Sequence, residues 1–173
     1  MKSTGVIRRI DELGRIVLPK EIRRNLGIRD GENLEIFVED DQIVLKKYSK
    51  IKDYAETINT ICELVSTVYD VNMIVTDRDK VIYSNFDKSI VGTELDMKLI
   101  GFIHNRESVL KNSLQAYPFN KEEKKGYYFI QPIISSTDCL GLLLIYSDKV
   151  IPEENISLLK LMSTIIVSKV DIS

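Results

Sequence analysis

The spacing of apolar and polar positions changes along the chain, and each spacing predicts a different element. Over residues 34–39, Leu34, Ile36 and Val38 alternate with Glu35, Phe37 and Glu39, and residues 43–45 form a second apolar run after Asp40-Asp41; together these patterns predict a hairpin. Residues 51–69 repeat apolar positions every three or four residues, which predicts an amphipathic helix. A similar repeat after Pro152 predicts a second long helix.

The first fifty residues contain a further pair of predicted strands and a short helix. Residues 4–10 and 15–18 are rich in β-branched side chains and predict strands on either side of a turn at residues 11–14, where Gly14 can take a positive φ. A helix is predicted from Pro19, at its first position, to Leu26, with Gly27 as its cap. The predicted order is therefore strand, strand, short helix, strand, strand.

The remaining residues predict an α+β domain with an antiparallel sheet and flanking helices. Residues 96–112 read as helical, with an interruption near Gly101. The apolar stripe of the helix at 51–69 suits packing on its own domain or on a partner helix equally well. The predicted strands are short apolar runs bounded by turn residues, at 73–76, 81–84, 127–134 and 139–146.

The charge of the chain is unevenly distributed. The 173 residues carry a net charge of −2, yet residues 1–29 hold eight basic and three acidic side chains, or +5. Residues 30–50 have a net charge of −3 and residues 51–173 a net charge of −4. Six of the eight basic residues in the opening stretch are arginines, which suit bidentate contacts to phosphate and guanine. A solvated basic face is the simpler reading of such a run.

A unit of about fifty residues is small for a domain that folds alone. Domains of this size bury little surface, and they often depend on a metal, a disulfide or a partner chain. With one His and two Cys in the whole chain, a structural zinc site or a disulfide framework is not expected. We therefore expect an intertwined homodimer, which would also present the basic residues twice.

Residues 4–24 resemble the DNA-binding domain of the AbrB family of bacterial transition-state regulators. The matching residues begin at Thr4, continue through Arg8-Arg9-Ile10-Asp11-Glu12-Leu13-Gly14-Arg15 and end at Arg23-Arg24. The resemblance continues without gaps over about 47 residues and includes Asp30-Gly31 and Leu34-Glu35. It implies a swapped-hairpin β-barrel formed by two chains. It also implies contacts to double-stranded DNA from Arg8, Arg15, Arg23 and Arg24, with Arg9, Lys2 and Lys20 as further candidates for phosphate contact. For each arginine the alternative is a surface ion pair, for example with Asp11, Glu12 or Glu21.

The second part of the chain resembles a GAF sensory domain. The resemblance rests on Ile130-Gln131-Pro132-Ile133 and Gly141-Leu142-Leu143-Leu144-Ile145, which are similar to the last two strands of that domain. The whole chain resembles sporulation regulators of the AbrB family, which control forespore gene expression in endospore-forming bacteria. The resemblance implies a DNA-binding domain at 1–50, a GAF-like sensory and oligomerisation domain at 51–173, a tetramer joined through terminal helices, and a cytoplasmic, nucleoid-associated protein.

The ligand of the GAF-like domain is left open by the sequence. Five aromatic residues are candidates for lining a pocket, although filling the core is the better interpretation; they are Tyr83, Phe102, Tyr127, Phe129 and Tyr146. No cofactor is expected, and an unknown small-molecule effector, a protein signal or assembly alone would each fit this domain.

An enzyme is the first alternative to a regulator. It would need Cys62 or Cys139 as an activated thiolate, yet neither has a cationic residue within two positions, and both suit a reduced core thiol. His104 reads as a surface or structural residue, and no phosphate-binding loop or zinc-protease motif occurs. No catalytic or metal-binding residues are therefore expected.

Two further classes are weighed from the same residues. An antitoxin is a third possible function class, because such proteins share the N-terminal fold. In antitoxins a disordered acidic tail usually follows that fold, whereas residues 51–173 alternate apolar segments with turns, which disfavours this class. No apolar stretch approaches the roughly 18 residues that span a bilayer, and no signal peptide or membrane contact is expected.

Overall fold

The first unit ends in an antiparallel hairpin. The computed structural model describes residues 5–116, 119, 125–136 and 138–171, and the chain divides into two units, Met1–Tyr48 and Ser49–Ser173. In the first unit, strands β1 (Leu34–Glu39) and β2 (Gln42–Lys47) pair from Leu34↔Lys47 to Glu39↔Gln42. The turn between them places Asp40 at a φ of 52°, a conformation that Asp tolerates better than most residues. The predicted hairpin is confirmed.

The predicted strands at 4–10 and 15–18 are wrong for the single chain. Residues 5–10 and 15–18 form no helix and are not part of any sheet in the described structure. The turn between them does form: the Asp11 amide donates to the Arg15 carbonyl at 3.1 Å, and the Gly14 amide donates to the Asp11 carbonyl at 2.9 Å. A strand exists only by pairing with another strand, so a β-prone sequence alone does not create one.

Helix α1 (Lys20–Asn25) follows, with Pro19 as its N-cap rather than as its first helical residue. The cap at its other end is the predicted one. The Ile28 amide donates to the Arg23 carbonyl at 2.7 Å and the Gly27 amide to the Arg24 carbonyl at 3.2 Å, while Gly27 takes a φ of 62°. This bonding pattern is a Schellman motif, which satisfies the last helical carbonyls and stops the helix.

The second unit is an antiparallel sheet with helices on both faces, so the predicted α+β class is confirmed. Its strand order is β4-β3-β7-β6-β5. The elements are a 3-10 turn at Lys50–Tyr54, α2 (Ala55–Tyr69), β3 (Asn72–Thr76), β4 (Val81–Ser84), a 3-10 turn at Lys88–Ile90, α3 (Met97–Asn105), β5 (Val109–Ala116), β6 (Lys125–Ile134), β7 (Cys139–Ser147) and α4 (Glu153–Asp171).

The predicted helix over 96–112 is wrong in its last part. Helix α3 ends at Asn105, and Arg106 takes a left-handed conformation with a φ of 56°. From Val109 the chain becomes the edge strand β5, which pairs with β6 in the register Val109↔Ile130. An edge strand with few buried side chains shows little alternation, so its apolar positions do not distinguish a strand from a helix.

Two buried clusters lie on the two faces of the five-stranded sheet. On one face, α2 and α4 contribute Cys62, Leu159 and Ile166 to a cluster that includes Val75 and Leu143 of the sheet. On the other face, residues of α3 form a cluster with the alternate residues of the same strands, including Ile74, Leu142 and Leu144. Strand β7 is therefore buried on both sides, which explains its continuous apolar sequence.

Gly141 marks the closest approach inside this sheet. A Cβ atom at this position would lie 1.9 Å from the Thr76 carbonyl oxygen. The Leu142 amide donates to the Thr76 hydroxyl at 3.1 Å next to this contact. Glycine is thus required here by the packing of β3 on β7 rather than by backbone conformation.

Candidate nucleic-acid interface

The turn at residues 11–14 is organised around the Asp11 carboxylate. Its Oδ1 accepts from the Leu13 amide at 3.0 Å and from the Arg15 amide at 2.8 Å, while Oδ2 accepts from the Arg15 Nε at 2.7 Å. The backbone and side-chain hydrogen bonds from Arg15 lower the pKa of Asp11 below its ordinary value. Arg15 is held in place by this acid, although 72% of its side chain stays exposed.

Arg8 and Arg9 lie before this turn, in the segment 5–10, and both are exposed. Lys2, the remaining candidate on this segment, lies outside the described residues. The guanidinium groups of both arginines are therefore accessible from solvent, on the same segment that leads into the turn that holds Arg15.

Helix α1 carries three of the predicted contact residues. Lys20 and Arg24 are exposed, while Arg23 is less accessible and forms an ion pair between its Nη1 and the Asp30 Oδ1. Arg23 and Arg24 lie in the last turn of the helix, where positive charge interacts favourably with the helix dipole. The ion-pair alternative thus applies to Arg23 with Asp30 and to Arg15 with Asp11.

The role of Glu32 was not predicted from the sequence. Its side chain is only 4% exposed; one carboxylate oxygen accepts from the Arg29 amide at 2.8 Å, and the other lies 3.9 Å from the Lys47 Nζ. This acid joins the loop after α1 to the end of β2. Its spacing of three residues from Arg29 was the only available signal, and such spacings are common in turns.

Apolar side chains are exposed throughout this unit. Among residues 5–50, all of them described, no apolar residue is buried. Ile7 is 93% exposed and Val38 is 77% exposed. The other large apolar side chains that are at least about one-third exposed are Val6, Ile10, Leu13, Ile16, Val17, Leu26, Ile36, Ile43 and Leu45. This unit therefore lacks an apolar core of its own.

The five aromatic pocket candidates do not come together. Tyr83, Tyr127 and Phe129 belong to the cluster under α2 and α4, whereas Phe102 and Tyr146 belong to the cluster under α3. Tyr146 also stacks on Phe86 with ring centroids 5.8 Å apart, and its hydroxyl donates to the Lys125 carbonyl at 3.2 Å. The sheet separates the two groups, so they do not line a single pocket.

The cysteines and the histidine, which catalysis or metal binding would use, lie in the second unit. Cys62 and Cys139 are both buried free thiols, and burial raises the pKa of both, that of Cys62 to about 12. His104 is exposed in the last turn of α3. Within the described ranges, no three His, Cys, Asp or Glu side chains form a group suited to a metal ion. None of the described helices is long and apolar enough to cross a membrane.

Comparison with known proteins relates the first unit to bacterial antitoxins and transition-state regulators. The family model for antidote-toxin recognition MazE, a bacterial antitoxin, matches residues 7–53. The transition state regulatory protein AbrB of Bacillus subtilis is 47% identical over 73 residues, which cover 42% of this chain and 68% of that protein.

The second unit has its own relatives. The GAF domain of an Acinetobacter phosphoenolpyruvate-protein phosphotransferase has the same fold, with a TM-score of 0.52 and 12% identity, over 70% of this chain and 90% of that one. The family model for the C-terminal part of stage V sporulation protein T, a transcription factor, matches residues 45–166.

Together these relationships define a transcription regulator with an AbrB-type first unit and a GAF-type second unit. Stage V sporulation protein T of Bacillus subtilis is 34% identical over 152 residues, which cover 85% of both chains. The chain therefore belongs to the stage V sporulation protein T family.

Proposed function

We propose that this chain regulates sporulation genes by binding double-stranded DNA with the first unit of an intertwined homodimer, on the nucleoid of a spore-forming cell. The main contacts come from Arg8, Arg15, Arg23 and Arg24, and Arg9, Lys2 and Lys20 contact phosphates. The observation that carries this proposal is that one unit combines a net positive opening stretch with apolar side chains that it does not bury.

The exposed apolar residues support the dimer. Each fully buried Val, Leu or Ile side chain stabilises a fold by about 1.5–3 kcal/mol, and residues 5–50 gain this from no such side chain within one chain. On β1 and β2, the same-face residues Ile36, Val38, Ile43 and Leu45 are all exposed. Residues 7–10 and 15–18, which the sequence predicts as strands, do not form strands in the described part of this unit. A second copy supplies both an apolar surface and strand partners, which closes the two-chain barrel.

Electrostatics supports DNA as the ligand. The net charge of +5 over residues 1–29 doubles in a dimer, whereas the rest of the chain is negative. If a dimer neutralises about eight phosphates, the slope of log K against log salt concentration is about −7. A slope near zero, measured by fluorescence anisotropy with a labelled duplex, would remove the electrostatic basis of the proposal.

The second unit is proposed to join dimers into a tetramer and to provide the fold on which a signal can act. Helix α2 exposes Leu64 and Val68, and helix α4 exposes Leu161 and Ile165, each pair four residues apart. Residues at this spacing lie on one face of a helix and suit a helix-to-helix interface. Charged substitutions at Leu64 and Leu161 should reduce the mass of the full chain in sedimentation from tetramer to dimer.

A catalytic function is not proposed, and the cysteines are the reason. On this fold a redox enzyme needs a reactive thiolate, but burial raises the pKa of Cys62 to about 12 and also that of Cys139, where desolvation outweighs the opposing influence of Arg78 and Arg106. Both thiols are therefore protonated at neutral pH and shielded from solvent.

The arginine assignments are tested by single substitutions in the full chain. Arg8→Ala, Arg15→Ala, Arg23→Ala and Arg24→Ala should each weaken binding to a duplex selected from a random library by the unsubstituted protein, by about tenfold per contact. Melting temperatures should change little, because these side chains lie outside any apolar core and a surface ion pair contributes only about 0–1 kcal/mol. Arg106→Ala is the matched control, since Arg106 lies in the second unit. Unchanged affinity in all four variants would contradict the site.

A further inference from the structure

The Asp11 carboxylate contacts Arg15 in a way that leaves the functional end of the arginine available. A guanidinium group has one Nε–H and two terminal nitrogens, and bidentate contacts to guanine or phosphate commonly use the terminal pair. Here the Asp11 Oδ2 accepts from Nε at 2.7 Å. The hydrogen-bonding capacity that recognises DNA is thus not consumed by this ion pair.

The acid is itself held in place by the backbone. Its Oδ1 accepts from two amides of the turn, those of Leu13 and Arg15, and the same turn is closed by the Asp11–Arg15 and Gly14–Asp11 backbone hydrogen bonds. Gly14 takes a φ of 75°, which favours glycine. The guanidinium of Arg15 is therefore oriented relative to the backbone of a well-defined turn, through one rigid carboxylate.

Arg23 provides the contrast. Its partner Asp30 accepts from Nη1, one of the terminal nitrogens. A DNA contact through the terminal pair of Arg23 would have to share Nη1 with Asp30, whereas one through the terminal pair of Arg15 would leave both terminal nitrogens to the DNA. Asp30 thus competes with DNA for a terminal nitrogen, and Asp11 does not.

We propose that Asp11 is a positioning residue for DNA recognition: it fixes the guanidinium of Arg15 through Nε so that the two terminal nitrogens face the nucleic acid ready to bind. This inference rests on the proposed function, because it requires Arg15 to contact DNA. A preorganised side chain loses less conformational entropy on binding, so Asp11 increases affinity and sequence discrimination although its charge repels phosphates.

The sign of the effect separates this proposal from simple electrostatics. An aspartate close to DNA repels phosphates, so if charge alone mattered its removal would strengthen binding to every duplex. If Asp11 positions Arg15, its removal weakens binding to the preferred sequence. Asp11→Asn is suitable because its carbonyl oxygen can still accept from the Leu13 and Arg15 amides, while its amide group cannot accept from Nε.

The test uses the full chain with two probes, a duplex selected from a random library by the unsubstituted protein and a random-sequence duplex of equal length. Asp11→Asn should raise the Kd for the selected duplex by about tenfold relative to that for the random duplex. Glu12→Gln is the matched control, because it removes the same charge from the neighbouring exposed residue, which takes no part in the hydrogen bonds of the turn. This control should lower the Kd for both probes by about twofold.

A second pair of variants shows whether Asp11 acts through Arg15. In an Arg15→Ala background, Asp11→Asn should no longer weaken binding to the selected duplex. If Asp11→Asn acted instead by unfolding the turn, it would still weaken binding in that background. If Arg15→Ala weakens binding but Asp11→Asn strengthens it as Glu12→Gln does, the positioning role is refuted while the DNA site stands. If Arg15→Ala leaves binding unchanged, both the assignment of Arg15 and the role of Asp11 are refuted.

Discussion

In the second unit, apolar side chains on both faces of a five-stranded sheet are buried within one chain. In residues 5–50, no apolar side chain is buried, and most of the large ones are exposed. Both units have strong hydrophobic patterning, so patterning alone does not tell whether a segment completes its own core. The difference indicates that buried apolar side chains stabilise the second unit within one chain, whereas residues 5–50 gain no such stabilisation from their own chain.

The largest expected effect is the loss of a core side chain from the second unit. Leu143 is 0% exposed in the centre of β7, so Leu143→Ala should lower the free energy of unfolding by about 2–5 kcal/mol. Urea denaturation of the full chain, followed by circular dichroism, measures this loss. Leu110→Ala on the exposed face of edge strand β5 should cost much less. Equal losses in the two variants would contradict the assigned core.

A substitution in the first unit should affect association instead. Val38→Ala removes part of an apolar side chain that is exposed in the single chain, and in the proposed dimer it should cost about 1–2 kcal/mol per chain. Calorimetry at several protein concentrations should show a lower and concentration-dependent melting transition for this unit only. Val150→Ala, at an exposed valine of the second unit, should leave both transitions unchanged. A concentration-independent transition would show that the first unit folds alone.

The reactivity of the Cys62 thiol tests whether the core of the second unit is closed to solvent. Burial raises the pKa of Cys62 from an ordinary value of 9.0 to about 12. The unfolded chain therefore loses this proton at a lower pH than the folded chain does. The contribution of the Cys62 thiol to the stability of the fold is complete below a pH of about 9 and is lost as the pH rises toward 12. Iodoacetamide at pH 8 should label Cys62 only after unfolding in urea, as measured by mass spectrometry. Rapid labelling of the folded chain would contradict the burial.

The smallest expected effect is a shift in the titration of Asp11. Hydrogen bonds from Arg15 lower the pKa of Asp11 below 3.8, so their stabilisation of the turn persists above the ordinary pKa and is lost only as the pH falls through the lower, folded value. NMR of carboxyl-labelled aspartate, with the resonance assigned by its loss in Asp11→Asn, should show this depressed value. In Arg15→Ala the pKa should return toward the ordinary one, and no change would argue against the ion pair.

The sequence predicted most of the second unit because its signals are local. The runs at 73–76, 81–84, 127–134 and 139–146 became strands β3, β4, β6 and β7 with ends shifted by no more than two residues. The exception was β5, where an edge strand without regular burial was taken for a continuation of α3. Which face each aromatic side chain takes depends on strand register, and a bulge between Val75 and Thr76 shifts that register on β3 and β4.

In the first unit, the sequence predicted turns and caps better than strands. The positive φ of Gly14 and the Schellman cap at Gly27 follow from glycine placement. The strands predicted at 4–10 and 15–18 were not found among the described residues 5–18, since β-prone residues form a strand only where another strand pairs with them. Asp11 was one of three acids named as possible ion-pair partners of the arginines, but the choice of Arg15, and of its Nε over a terminal nitrogen, is a matter of geometry that residue types do not encode.

The exposed apolar residues of the first unit have a consequence for dosage in the cell. On the proposed dimer, a chain that meets no second copy has no complete DNA-binding surface. At low abundance, the number of functional units therefore rises with the square of the number of chains. A modest change in synthesis or degradation would then produce a larger change in promoter occupancy. The incomplete core of one small unit would make this regulator a sensor of its own expression level.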